Sequence, residues 1–154
     1  MQPTNGQESS ENDIAAAQPP PIVRAAGGAV LGAGALVLLV SVQTFTGFTL
    51  NTLATAILLM VTLFGVASAV AGLMLMRAGA GSAVASLVAS VLLFLGSTGW
   101  LLFSLSGRLI SLFALLAPMM AFLAIILSTA SIGPCRRGSL ARARLAAQGL
   151  NLGM

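Results

Sequence analysis

The chain has 154 residues, 58% of them hydrophobic and 6% charged, with a mean hydropathy of +1.04. A soluble domain carries roughly a quarter charged residues to cover its surface, so this composition excludes a water-soluble globular protein and points to one solvated by lipid. Seven basic residues against three acids leave a net charge of +4; all seven are arginines, most of them beside apolar segments, which argues for orientation in a bilayer and not for nucleic-acid binding.

Residues 1–23 form a polar tail that carries the acids Glu8, Glu11 and Asp13 and ends near a stiff Pro19-Pro20-Pro21 spacer. It has too few large apolar residues to build a core, which predicts a disordered segment. Its long acidic start is unlike the short basic start of a secretory signal.

The first apolar segment predicts a membrane helix over 25–42, near the lower end of the roughly 17–25 residues that cross a bilayer. Its first half is small, and Gly28 and Gly32 make a GxxxG pair. Residues four apart share a helix face, and a small face lets a second backbone approach closely. The expected neighbour is another helix of this chain or a second copy of it; the spacing also arises by chance in a glycine-rich chain. An uncharged loop over 43–52 follows. In it Phe45 and Phe48 suit the headgroup level, and Asn51 or Thr52 suits the N-cap of the next helix.

The second segment, 53–76, is an almost unbroken apolar run ending at Arg77. It predicts a tilted crossing, with Ser68 and Gly72 as a small pair on its second half. A third helix is expected over 82–105, where Ser82, Ser86 and Ser90 recur at every fourth residue and Trp100 lies near the far end, a depth that suits an interfacial indole. The turn at Ser106-Gly107-Arg108 is so short that the fourth helix, expected over 109–132, must return antiparallel. Pro118 inside it predicts a kink, and Ile132-Gly133-Pro134 predicts its end. Residues 134–154 then form a basic tail in which Arg136, Arg137, Arg142 and Arg144 meet anionic headgroups.

Four crossings place Arg24, Arg77, Arg136, Arg137, Arg142 and Arg144 on one side and Arg108 alone on the other. Basic flanks stay in the cytoplasm, so both termini are expected there, with the chain in the plasma (inner) membrane. Arginine without lysine, amid abundant Ala and Gly, suggests a GC-rich bacterial genome. Arg24-Ala-Ala-Gly-Gly and Arg77-Ala-Gly-Ala-Gly open the first and third helices alike, a pattern that duplication of a hairpin or low complexity produces.

Between Arg24 and Arg136 there is no Asp, Glu, His or Lys. General acid–base catalysis and proton-coupled transport need a titratable side chain within the protein, so the chain is not expected to be an enzyme or to depend on an embedded carboxylate. No cofactor or metal is expected: Cys135 alone makes no site, and the thioethers of Met74, Met76, Met119 and Met120 have no Cys or His among them. Arg136-Arg137-Gly138-Ser139 looks like a basophilic kinase substrate but reads more simply as a basic membrane flank.

The expected fold is all-α: a left-handed, antiparallel bundle of four transmembrane helices in a polytopic membrane protein. The expected function is a non-catalytic scaffold, accessory or regulatory subunit acting through helix packing, with membrane lipids and other membrane proteins or itself as partners. A passive pore for a neutral or apolar solute, lined by residues such as Ser41, Thr62, Ser97 and Thr98, is the alternative, and a headgroup sensor using the arginine tail is a third reading.

Overall fold

The computed structural model describes residues 14, 18, 20–47, 50–77, 80–106 and 112–147. Most of the N-terminal tail, the turn at Arg108 and residues 148–154 lie outside this set; the end of the tail expected to be disordered, Pro21 to Val23, is instead helical, with Val23 buried. The described chain is four helices: α1 (Pro21–Gly47), α2 (Thr52–Met76), α3 (Ala80–Ser106) and α4 (Leu112–Ala147). Each is long and apolar enough to cross a membrane. The protein is an all-α four-helix bundle and a multi-pass membrane protein.

Local chemistry explains where the helices begin and end. Pro21 opens α1, where a missing N–H costs nothing. The helix runs past its expected end at 42 because the polar residues there bond to their own backbone. Ser41, Thr44 and Thr46 donate to the carbonyls of Val37, Val40 and Val42 at 2.9, 2.7 and 2.9 Å. Asn51 caps α2, its side chain accepting the Ala54 N–H at 2.8 Å.

The expected stop at Ile132-Gly133-Pro134 is not observed; α4 continues for 36 residues with both Pro118 and Pro134 inside it. A proline removes one hydrogen bond and crowds one carbonyl. That local penalty is outweighed here by neighbouring Ala, Leu and Arg, which are strong helix formers. Cys135 is also held in a buried cluster with Val23, Ala26, Leu75 and Ala83, which fixes the direction of the chain past Pro134. At 1.5 Å per residue, the 36 residues span about 54 Å against a hydrocarbon core of about 30 Å. The turns after Cys135 carry four arginines, and the buried stripe continues through them at Gly138, Ala141 and Leu145.

One periodicity governs packing. One buried stripe of α1 runs through Val23, Ala26, Val30, Ala33, Val37, Val40 and Thr44, three and four apart in alternation, with Gly27, Gly34 and Ser41 buried beside it. The same rhythm runs through Ala83, Ser86, Ser90, Leu93, Ser97, Trp100 and Ser104 of α3, and through Ala114, Ala117, Ala121, Ala124, Ser128, Ser131 and Cys135 of α4. In α2 it passes through Ala54, Leu58, Val61, Gly65, Ser68, Gly72 and Leu75. A repeat averaging 3.5 residues against 3.6 per turn keeps a seam facing its neighbour only if the helices coil left-handedly. Each helix packs on the next in sequence, α4 closes the ring against α1, and α1 alone reaches across to its diagonal partner.

The inward residues are small and the outward ones large: Leu63, Leu102 and Met119 are 67%, 64% and 69% exposed. Lipid tails are as apolar as leucine, so burying leucine yields little in a membrane; close van der Waals contact between backbones does the work. Trp100 is the exception in size. It reaches the expected depth but turns inward, 4% exposed, because position 100 falls on the inner stripe of α3. The openings of α1 and α3 share their inner register, yet the positions matching Gly34 and Gly65 in the second hairpin are Leu87 and Pro118.

Candidate functional site: the small-residue seams and the basic end

Among the described glycines, the tightest backbone contacts join α1 and α2. A Cβ added to Gly34 would stand 2.6 Å from the Gly65 carbonyl oxygen and 2.8 Å from the Ala69 nitrogen. One added to Gly27 would stand 2.9 Å from the Gly72 carbonyl oxygen, and one added to Gly72 would meet Leu31 nitrogen at 2.7 Å. Gly27 and Gly34 are seven apart, as are Gly65 and Gly72, and the pairs match in antiparallel order. Backbone faces backbone at two successive heptads.

This differs from the GxxxG expectation. Gly32 has nothing within 4 Å of its added Cβ, and Gly28 meets only the Met76 methyl carbon at 3.8 Å. Neither is in the tight seam; both sit half-buried beside it. Gly72, singled out from its pairing with Ser68, is in the seam. The signal that picks out Gly27, Gly34 and Gly65 is the seven-residue spacing repeated on two consecutive helices, which a search at four-residue spacing does not detect.

Hydroxyl groups also link the helices. Ser68 donates across to the Ala89 carbonyl of α3 at 3.2 Å. Thr62 Oγ1 lies 2.7 Å from the carbonyl of Leu58 and 2.9 Å from Ser41 Oγ on α1. Ser86 Oγ lies 2.9 Å from the Ala83 carbonyl and 3.4 Å from Ser128 Oγ on α4, and Ser90 donates to the Ser86 carbonyl at 2.7 Å. Ser86 and Ser90 are fully buried, whereas Ser82 is half-buried at the start of α3. Each cross-helix hydroxyl bond stabilises by about 0.6 kcal/mol on average in a membrane.

Thr98 Oγ1 is buried with no partner. The carbonyl it would take four residues back belongs to Phe94, which accepts from Ser97 at 3.2 Å. Replacing an unpaired buried hydroxyl by a methyl of the same shape removes a desolvation penalty. Thr98→Val is therefore expected to stabilise the bundle, by up to about 1 kcal/mol, read from denaturation in mixed micelles; a clear loss would mean that the hydroxyl has a partner.

Charge collects at one end. Arg24 lies in the first turn of α1, Arg77 at the C-cap of α2, and Arg136 and Arg137 directly after Cys135. Arg136, Arg137 and Arg144 are exposed; Arg142 is half-buried and donates from Nε to the Gly138 carbonyl at 3.3 Å. Among the described residues this end carries arginines and no acid. Pro118 sits half-buried within α4, and the inner stripe keeps its spacing on both sides of it. No protein-family model, curated protein or solved structure matches the chain.

Proposed function

We propose that this protein is a non-catalytic membrane scaffold, accessory or regulatory subunit, seated in the plasma (inner) membrane of a bacterium with both termini in the cytoplasm. The observation that carries the reading is the distribution of polar groups. The described arginines and the lone Cys135 gather at one end of the bundle or beyond it, and the rest of the interior holds hydroxyls that mostly bond to backbone carbonyls. Such a bundle offers structure and surface but no general acid, base or proton relay.

Because the glycines of the tight seam are used within the chain, the faces left for protein partners are the outer Leu and Val surfaces and the exposed face of Arg136, Arg137 and Arg144 on α4. Native purification in mild detergent or nanodiscs, followed by crosslinking, is expected to recover other membrane proteins or a homo-oligomer. A strictly monomeric particle without companions counts against the reading, and a solute-specific flux in proteoliposomes supports the pore instead.

The arginine bias adds the orientation. Reporter fusions at Met1 and Met154 are both expected to report the cytoplasm. Opposite compartments would contradict the even number of crossings, and two external reporters would reverse the orientation.

A further inference from the structure

On the lipid side, α2 and α3 part to leave an open groove of about 580 Å³, walled by Ala67, Ala71 and Met74 of α2 and by Ala85, Ala89 and Leu92 of α3, with almost no polar surface. Its volume falls in the range of roughly 300–1,000 Å³ typical of lipophilic ligand sites. From Ala67 to Met74 it runs about 10 Å along α2, less than the depth of one leaflet. One turn deeper the seam closes: a Cβ on Gly96 would meet the Phe64 ring at 3.0 Å. At the other end, one turn past Met74 on the same face, stands Arg77, exposed and with no acid among the described residues to pair with.

We propose that this groove holds one acyl chain of an anionic glycerophospholipid, with the phosphate at Arg77. A groove confined to one leaflet, blocked toward the bilayer centre and cationic at its mouth, matches a lipid of that leaflet. A partner's transmembrane helix would need an apolar track continuing past Phe64 to the far side. The site is separate from the glycine seam and does not depend on the scaffold reading.

The test uses the full chain reconstituted in nanodiscs of equal phosphatidylglycerol and phosphatidylcholine, then released for native mass spectrometry to count retained lipids. The wild type is expected to keep one phosphatidylglycerol about fivefold over phosphatidylcholine, the preference one surface arginine provides. Ala67→Phe and Ala85→Phe each fill the groove from one exposed wall, and both are expected to lose the retained lipid whatever its headgroup, with helicity unchanged by circular dichroism. Arg77→Gln is expected to keep a lipid and lose the preference. Equal retention of the two lipids by the wild type overturns the proposal, as does undiminished retention in both phenylalanine variants. A dimer that either phenylalanine variant dissociates also overturns it, by making the groove a protein interface.

Discussion

Gly34→Leu is expected to force α1 and α2 apart and destabilise the bundle by about 3 kcal/mol or more, the upper range for overpacking a close-packed interior. The reason is what the new side chain meets. Its Cβ alone would lie 2.6 Å from the Gly65 oxygen and 2.8 Å from the Ala69 nitrogen, and backbone atoms of a helix cannot rotate away as a side chain does. Relief requires a shift of the whole helix, which would also open the Gly27–Gly72 contact one heptad along. Gly32→Leu is the matching control. Its added Cβ meets nothing within 4 Å, and a helical glycine with open space around it is generally improved by a better helix former. Unfolding free energies in mixed micelles separate the two; a damaging Gly32 variant beside a tolerated Gly34 variant would restore the GxxxG seam and refute the heptad one.

Trp100→Ala is expected to cost about 3 kcal/mol, the lower end of the values for deleting a buried tryptophan. The lower end applies because the unfolded reference in a membrane is itself apolar, which shrinks the transfer part and leaves the cavity part. That cavity part is hard to avoid. Trp100 shares its buried cluster with Val40, Leu58, Ala114 and Ala117, and the facing alanines of α4 have no side chain to swing into the space. Its ring also packs against Phe103 with centroids 5.7 Å apart. A loss under about 1 kcal/mol would place the indole at the lipid–water interface, where it shares little packing.

Both results turn on the inverted size pattern of the bundle. In water a core of Ala, Ser and Gly would bury too little apolar area to fold. In lipid the same residues allow short interhelical distances, and dispersion summed over close backbones replaces the missing hydrophobic force. Leu63 and Met119 face outward for the same reason that such residues face inward in a soluble bundle: each seeks the surroundings that cost it least.

The sequence alone determined the solvent, the number of crossings and the antiparallel order. Apolar runs longer than any buried strand, separated by short turns, leave the backbone no other way to satisfy its hydrogen bonds in lipid. It also determined the end at which charge accumulates, because arginine is excluded from the hydrocarbon wherever it occurs. Which small residues touch was decided only by the tertiary structure. In a chain with 17 glycines and abundant Ala and Ser, many small residues share a helix face at four-residue spacing. The choice of Gly27 and Gly34 over Gly28 and Gly32 depends on the angle at which α1 meets α2, a property of two helices together. The path of α4 through Pro134 was decided in the same way: the proline's local cost was legible, but the hold on Cys135 came from residues more than fifty positions away in the chain.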